Sequence, residues 1–175
     1  YMLTVSEGTP LADMVRRGEF SPDDDRSADL YSAFHEAAAQ AGYARYEVSN
    51  WALPGKECRH NIKYWTGGDY AGLGAGAYSK VGGCRFHTAP DASAYVGGSI
   101  ARITDEVMTE KQLAAEKAVF GLRTRLGVDK NTLSAAGIDL EKLPKTPYFT
   151  FDGNALHIKD EYLLTSDGIV IKYIL

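Results

Sequence analysis

The sequence predicts an α/β fold in its first part, followed by a small α+β domain of winged-helix-like type. In the first part a strand pattern, an amphipathic helix pattern and a second strand pattern follow one another, which is the order of an α/β layer. In the second part, helical patterns precede the pattern of a β-hairpin. The chain has 175 residues, of which 45% are hydrophobic and 24% charged, as in ordinary globular proteins. This patterning does not choose between a barrel and an open sheet.

Residues Tyr1–Val5 are apolar and β-favouring, and they predict the first strand. A strand at this position would leave an open sheet edge, so we expect the isolated chain to dimerise by covering that edge with a second copy. Pro10 then favours a short helix over Leu11–Arg17, which Gly18 ends.

A longer helix is predicted between the N-cap Ser21 and Gly42, with Pro22 at its first position. The acids Asp23–Asp25 suit the positive end of the helix dipole, and a capped helix start explains them better than a metal site does. His35 lies beside the apolar stripe of this helix and is interpreted as structural or exposed. The stripe is expected to pack against a sheet, and it consists of Leu30, Phe34, Ala37, Ala38 and Ala41.

The segment Tyr43–Ser49 alternates as a strand does. Asn50, Pro54 and Gly55 then predict a loop that leads into Cys58–Trp65. Further along, residues 85–86 predict a short strand and residues 90–95 a short helix. Two glycines at 97–98 end that helix and indicate a domain boundary.

The second part begins at a capping box formed by Thr109 and Gln112. Gly127 closes this helix, whose buried stripe is expected at Ala115, Ala118, Val119, Leu122 and Leu126. The next predicted elements are a helix over Asp129–Ala136 and two strands over Tyr148–Phe151 and Ala155–Ile158. The final run Ile169–Leu175 is β-branched and indicates a strand locally.

Composition limits the classes of partner. The formal net charge is −4 with acids and bases interspersed, which gives no basic surface for nucleic acid. The lysines of the second part are scattered among acids, at Lys130, Lys142, Lys145, Lys159 and Lys172. No apolar run approaches the ~18 residues of a membrane span. The two cysteines suit a reducing compartment, so we expect the cytoplasm.

The chemistry of the sequence is concentrated in residues Tyr46–Ser79. His60 and Tyr64 are four residues apart, which puts them on one face of either a helix or a strand. An imidazole with aromatic rings beside it, including Trp65, suits a flat apolar ligand. Haem is the first candidate, because a neutral imidazole can bind its iron axially. A purely structural His60 is the alternative.

A zinc site is a second alternative, because cysteine and histidine are suitable zinc ligands. The four candidates are Cys58, His60, Cys84 and His87, but their spacing is unusual for zinc. A hydrolytic triad has little support, since the sequence contains no G-x-S-x-G nucleophile motif.

The glycine run matches G-x-G-x-x-A through Gly72, Gly74 and Ala77. A dinucleotide site also needs a helix that starts at this loop and an acid about 20 residues later. Here Gly82 and Gly83 break any such helix, and the next acidic residue, Asp91, comes too early. A tight turn and a close approach of backbone to a ligand both stay open.

The motif HNIKYW, residues 60–65, resembles the HNxxYW region of HemW-type haem chaperones, which are radical-SAM-like proteins related to oxygen-independent coproporphyrinogen III oxidases. The resemblance includes YEVSNWALPGKECR before the motif and GGDYAGLGAGAYS after it, and it is weak beyond Arg102. It implies the C-terminal portion of an incomplete (β/α) radical-SAM barrel and its extension over residues 1–100. A HemN C-terminal-like, winged-helix-like domain would follow over residues 101–175. Because that domain ends in a helix in the family, the choice between strand and helix for Ile169–Leu175 stays open. We therefore expect the chain to be a C-terminal fragment of a longer protein.

The resemblance implies a haem site near His60, with Tyr64 and Trp65 as its apolar wall. The haem propionates would meet Arg59, Lys63 or Arg85, and the alternative for Arg85 is a surface ion pair. The family usually has Pro and His where this chain has Ala75 and Tyr78. The expected ligand-binding residues are His60, also the expected ligand of the haem iron, with Asn61, Tyr64, Trp65, Arg59, Gly74, Gly76, Ala77, Tyr78 and Arg85.

Members of the family carry a Cys-x3-Cys-x2-Cys motif for a [4Fe-4S] cluster, whereas this chain has only Cys58 and Cys84. The cluster and S-adenosyl-L-methionine (SAM) would therefore be bound mainly by an N-terminal part, with the glycine loop against the SAM site. Two cysteines cannot supply three cluster thiolates, so the chain by itself cannot perform radical chemistry.

Three functions are compatible with these motifs. The first is a fragment of a haem chaperone that binds haem and delivers it to haem-requiring proteins, which HNIKYW favours. The second is part of an oxygen-independent coproporphyrinogen III oxidase, whose 5'-deoxyadenosyl radical would drive decarboxylation of porphyrinogen propionates. The third is a structural or partner-docking module without a ligand of its own.

Overall fold

The computed structural model of the chain describes residues 3–143 and 146–175. The chain divides into two compact units, residues 1–45 with 49–57 and residues 46–48 with 58–175. Both helices and strands are present, so the mixed α/β class is confirmed. The domain division expected at residue 100 stays a prediction.

In the first unit, helix α1 (Pro10–Arg16) begins at the N-cap Thr9, close to the predicted position. Helix α2 (Asp24–Gln40) begins later than predicted, because Asp23 and not Ser21 is its N-cap. The Asp23 carboxylate accepts a hydrogen bond of 2.8 Å from the backbone N–H of Arg26, which otherwise would have no partner in the first turn.

The apolar stripe of α2, which was predicted to pack against a sheet, does so only in part within the described residues. Leu30 is 61% exposed and Phe34 is 56% exposed. Phe34 meets the ring of Trp51 edge-on, with ring centroids 4.9 Å apart. His35 is structural, which was one of the two interpretations of this residue. Its Nδ1 accepts a hydrogen bond of 3.0 Å from Trp51 Nε1.

Two strand predictions for this region also need correction. Residues 3–5 form no strand, while Tyr1 and Met2 lie outside the described residues. The dimer expected through that strand stays a prediction. The predicted loop after Ser49 contains β2 (Asn50–Ala52), which pairs with β1 (Ala44–Glu47) in a two-stranded hairpin.

The second unit holds two three-stranded sheets, ordered β3-β4-β5 and β6-β8-β7. Residues 160–165 form a 3-10 turn. The described helices and strands of this unit are α3 (Arg59–Trp65), β3 (Tyr78–Val81), β4 (Cys84–Thr88), α4 (Ala92–Val96), β5 (Arg102–Val107), α5 (Glu110–Gly121), β6 (Val128–Asp129), α6 (Lys130–Ala135), β7 (Phe149–Asp152), β8 (Ala155–Ile158) and α7 (Ser166–Tyr173).

The β3-β4-β5 sheet is antiparallel throughout. Gly82 and Gly83 connect β3 to β4 with φ values of +56° and +80°, in the left-handed region that glycine adopts without strain. The pairing of β4 with β5 skips from Glu106 to Thr104, which leaves Asp105 as the extra residue of a β-bulge. The predicted strand at residues 85–86 is confirmed, whereas β3 and β5 were not predicted.

The main hydrophobic core lies between the β6-β8-β7 sheet and helices α5, α6 and α7. Leu122, Leu133 and Leu156 are each 0% exposed there. Helix α5 begins at the predicted capping box. It ends before Leu126, which is 50% exposed, so the prediction that Leu126 belongs to the buried stripe is wrong.

The β-branched run at the end of the chain lies largely in helix α7, so the open choice between a strand and a helix is decided in favour of a helix. Ile169 and Val170 are 7% and 1% exposed within the core, and this packing overrides their preference for strands. Among the described helices, none combines the length and the apolar character that crossing a membrane requires.

Replacing Asp129, the N-cap of α6, with alanine is expected to destabilise the second unit by about 1 kcal/mol. Its carboxylate accepts hydrogen bonds from the side chain and the backbone of Thr132, at 2.7 and 2.9 Å. These bonds hold the pKa of Asp129 below its ordinary value. Because the folded-state pKa is lowered, the cap stabilises the fold above the ordinary aspartate pKa and loses this effect as pH falls through the folded value.

Urea unfolding of Asp129→Ala at neutral pH and in acid measures this contribution. The difference from wild type should be present at neutral pH and vanish in acid. Asn131→Ala is the control, since Asn131 is exposed in the first turn of the same helix. Equal losses for the two variants at neutral pH would contradict the capping role.

Candidate functional site

The HNIKYW motif forms helix α3, and a glycine ends it. Gly67 has φ +72°, and the backbone N–H of Gly68 donates to the carbonyl of Lys63 at 2.8 Å. This is a helix terminus closed by a left-handed glycine. The chain then leaves the helix toward the strand pairing at Tyr70.

One face of α3 carries a row of rings that continues beyond the helix. The ring centroids of His60 and Tyr64 are 4.9 Å apart at an interplanar angle of 83°, since residues four apart lie on one helix face. Tyr64 in turn lies 4.8 Å from Tyr70. Tyr70 is fixed by two backbone hydrogen bonds to Lys80, of 2.8 and 2.9 Å. His60 is exposed, and Tyr64 is 39% exposed.

This row ends at the guanidinium of Arg85 on β4. Burial lowers the pKa of Arg85, but the hydrogen bonds that Arg85 donates to Glu116, Tyr70 and Glu106, together with the negative charge of Glu116, outweigh it and raise the pKa above the ordinary value. Arg85 therefore stays cationic. Its guanidinium has five N–H donors, so two carboxylates and a phenol need not use all of them. We call His60, Tyr64, Tyr70 and Arg85 the ring row.

Arg85 contacts a buried ion pair formed by Glu116 and Lys80. Glu116 on α5 binds Arg85 Nη2 through one carboxylate oxygen and Lys80 Nζ, at 2.6 Å, through the other. The Lys80 side chain is 3% exposed, and its Nζ also donates to the carbonyl of Gly67 at 3.3 Å. Helix α5 is thereby tied to β3, to β4 and to the end of α3.

The other predicted residues of the motif have different surroundings. Trp65 packs edge-on against Phe120 of α5, at 5.9 Å, and its buried indole Nε1 has no hydrogen-bond partner among the described residues. Asn61 Nδ2 donates to Tyr46 Oη at 3.4 Å. The ring next to Tyr64 is therefore Tyr70, and Trp65 belongs to the packing of α3 on α5. The cations Arg59 and Lys63 are both exposed.

The glycine loop closes on the end of β4. The N–H of Gly76 points to the carbonyls of Thr88 and Ala89, both at 3.2 Å, and the N–H of Ala77 donates to Thr88 Oγ1 at 3.2 Å. Thr88 Oγ1 also donates to the carbonyl of Gly74. Gly74 and Gly76 have φ +125° and +72°. The loop is thus a turn that is hydrogen-bonded to its own sheet.

The zinc alternative finds no support in this geometry. Cys58 and Cys84 are both free, the first exposed and the second half-buried. His87 pairs with Asp105 and not with a cysteine. Across residues 3–143 and 146–175, no three histidine, cysteine, aspartate or glutamate side chains come together in a way that could hold a metal ion.

Sequence reasoning missed Tyr70 and Glu116. Tyr70 lies in a glycine-rich loop without periodicity, and Glu116 is one of many charged residues on a helix. Neither belongs to a motif. Their position in the site follows only from the bridge of Tyr70 to Lys80 and from the register of β3 with β4, which puts Lys80 opposite Arg85.

A solved structure shares the fold of most of this chain. A solved structure described as "Coproporphyrinogen III oxidase (HemN) from Escherichia coli is a Radical SAM enzyme" matches with a TM-score of 0.65, over 87% of this chain and 42% of that chain. The two sequences are 14% identical, so this likeness shows the fold alone. No protein-family model matches the chain.

Curated relatives define the resemblance more closely. The heme chaperone HemW of Mycobacterium tuberculosis (strain ATCC 25618 / H37Rv) is 35% identical over 176 residues, which is 97% of this chain and 45% of the relative. The heme chaperone HemW of Lactococcus lactis subsp. lactis (strain IL1403) is 37% identical, over 73% of this chain and 35% of the relative. A mouse protein, radical S-adenosyl methionine domain-containing protein 1, mitochondrial, is 40% identical over 46% of this chain and 18% of its own length.

The chain spans less than half the length of these relatives, 45% in the M. tuberculosis protein. It is HemW-like in sequence, and the resemblance drawn from HNIKYW and its flanking segments is confirmed. The related fold of the coproporphyrinogen III oxidase agrees with this.

Proposed function

We propose that the chain is the haem-handling part of a HemW-like protein, which binds haem and delivers it to haem-requiring proteins. The ring row is the observation that carries this proposal. Haem needs an iron ligand, a flat apolar contact and a cation for its propionates. His60 would supply the first, Tyr64 with Tyr70 the second, and Arg85 the third.

The electrostatics of Arg85 suit a carboxylate ligand. Its Nη1 lies 3.2 Å from Glu106, whose side chain is 44% exposed, and the Arg85 side chain is itself 29% exposed. A propionate could replace water around the accessible edge of the guanidinium without breaking the buried contact with Glu116. Arg59 and Lys63, exposed on α3, would add positive charge beside the same helix.

For the whole protein, the proposal is limited to its cofactors, its domains and its location. A [4Fe-4S] cluster and SAM would be bound by other residues, since Cys58 and Cys84 do not fit a three-thiolate cluster site and the amides of Gly76 and Ala77 already have partners. Residues 1–100 would belong to a partial (β/α) barrel with its extension, and residues 101–175 to a winged-helix-like domain. A cytoplasmic location is part of the same proposal.

The second candidate is part of an oxygen-independent coproporphyrinogen III oxidase. Arg85 could bind a propionate of that tetrapyrrole as well, and the likeness to HemN supports this candidate at the level of the fold. Two of the three sequence relatives described above, those of M. tuberculosis and L. lactis, carry the name heme chaperone, which favours the first candidate. A docking module without a ligand is the third candidate.

Titration of the chain with haemin, followed by absorbance, tests the proposal. Wild type is expected to give a protein-bound Soret band. His60→Ala should shift that band and weaken binding about tenfold or more, since even changes to residues behind a metal ligand have such effects. Tyr64→Ala should weaken binding without removing the iron ligand.

His157→Asn is the matched control, because it removes an imidazole from β8 in the other sheet of the same unit. Its titration should coincide with that of wild type. A Soret response that is unchanged in His60→Ala would remove His60 as the ligand. A wild-type chain that binds no haemin would leave the docking module as the better candidate.

A further inference from the structure

A second imidazole, that of His87 on β4, is held more firmly than His60. Its Nδ1 lies 2.8 and 2.9 Å from the two carboxylate oxygens of Asp105. Asp105 is the bulge residue of β5, and the bulge turns this carboxylate toward His87. From the other side, the ring of Tyr78 stacks on the imidazole, with centroids 4.9 Å apart and planes 27° apart. Tyr78 is the direct cross-strand partner of His87.

This arrangement determines which nitrogen of His87 is available. An ionised carboxylate only accepts hydrogen bonds, so Nδ1 must be the donor in the contact with Asp105. In the neutral imidazole the lone pair is then on Nε2. Across residues 3–143 and 146–175, Nε2 of His87 has no hydrogen-bond partner. A histidine whose second nitrogen donates to a carboxylate is the usual form of a metal-binding imidazole.

The rest of the surroundings decides which kind of metal His87 could bind. A bare zinc ion needs about three or four protein ligands, and a group of that size is missing around His87 in the described part of the chain. Haem iron already has four porphyrin nitrogens and needs only an axial donor. Arg85 precedes His87 by two residues on the same strand, so both side chains lie on one face of the sheet.

We propose that His87, oriented by Asp105 and stacked on Tyr78, is an axial ligand of the iron of a haem bound on the Arg85 face of the sheet. This inference rests on the proposed haem-binding function. It assigns an oriented iron ligand to the sheet. On the helix side, His60 contacts the ring of Tyr64 edge-on and has no hydrogen-bonded carboxylate among the described residues.

The test compares two ligands on four forms of the chain: wild type, His87→Asn, Asp105→Asn and His157→Asn. In His87→Asn, the amide can still donate to Asp105 in place of Nδ1, but Nε2 is gone. Each form is titrated with haemin and with metal-free protoporphyrin IX, and binding is followed by absorbance and by tyrosine and tryptophan fluorescence. Circular dichroism on the same samples reports whether each variant is folded.

We expect His87→Asn to bind haemin at least about tenfold more weakly, with a changed Soret band, and to bind protoporphyrin IX as wild type does. Asp105→Asn should weaken haemin binding about tenfold, the effect expected for the partner of a metal ligand. His157→Asn should leave both titrations unchanged.

Two results would overturn the assignment of His87. One is a haemin titration of His87→Asn that coincides with that of wild type. The other is an equal loss for haemin and for protoporphyrin IX, because a ligand of iron cannot affect a porphyrin without iron. Either result leaves the haem-binding function itself standing. A wild-type chain that binds neither compound overturns both the function and the ligand.

Discussion

Replacing Glu116 with alanine is expected to destabilise the second unit by about 3–5 kcal/mol, the range for breaking a buried ion pair from one side. Lys80 lies 2.6 Å from Glu116, and the exposed fractions of the two side chains are 3% and 13%. Without Glu116, the ammonium of Lys80 keeps one hydrogen-bond partner among the described residues, the carbonyl of Gly67 at 3.3 Å. A buried charge with one neutral partner does not recover the free energy of its lost hydration.

Glu106→Ala is the matched control for this prediction. Glu106 and Glu116 both bind Arg85, but Glu106 is 44% exposed and its contact is 3.2 Å long. Exposed ion pairs contribute about 0–1 kcal/mol, so the control should change the free energy of unfolding little. Adding Lys80→Met to Glu116→Ala should recover part of the loss, since it removes the uncompensated charge.

Urea unfolding, followed by the fluorescence of Trp65, measures these effects in the second unit. The sequence contains two tryptophans, so Trp51→Phe leaves Trp65 as the only reporter. Trp65 packs against Phe120 of α5, the helix that carries Glu116. Similar losses for Glu116→Ala and Glu106→Ala would contradict the account of a buried pair.

Features that depend on neighbouring residues could be predicted from the sequence. The capping box of Thr109 and Gln112 was recognised because its hydrogen bonds span three residues. Gly42, with φ +83°, ends α2 as predicted, since few other residues adopt that conformation. The residues that form each of these features lie within about one helical turn of one another.

Features that depend on strand pairing could not be predicted in the same way. The short strands β2, β3 and β5 owe their form to hydrogen bonds with partners elsewhere in the chain. Strand propensity depends strongly on such surroundings. The helix α7 is a second case, because burial in the core decided its form against the local preference of Ile169 and Val170.

The candidate site was predicted in part for the same reason. The contact of His60 with Tyr64 follows from their spacing on one helix. The contacts of Tyr70, Arg85 and Glu116 join a loop, a strand and a helix, and no spacing in the sequence relates them. Trp65 is the opposite case. It follows Tyr64 directly in sequence, and adjacent residues of a helix point in different directions, so Trp65 lies on another side of α3.

The second large loss of stability is expected for a leucine in the hydrophobic core. Leu122→Ala is expected to destabilise the second unit by about 3–5 kcal/mol, the upper part of the range for buried leucine. Leu122 is 0% exposed, directly after α5, and lies in the same hydrophobic cluster as Leu133 and Leu156. Truncation removes apolar contacts and leaves a cavity, which the surrounding helices and sheet can close only in part.

Leu126→Ala is the control, because the two leucines are one helical turn apart in sequence and differ in burial. Leu126 is 50% exposed, so its truncation should change the free energy of unfolding by less than about 1 kcal/mol. Urea unfolding with Trp65 as the reporter compares both variants in the Trp51→Phe background. If Leu126→Ala lost as much stability as Leu122→Ala, Leu126 would be buried in the native protein, and α5 would continue beyond Gly121 as the sequence pattern predicted.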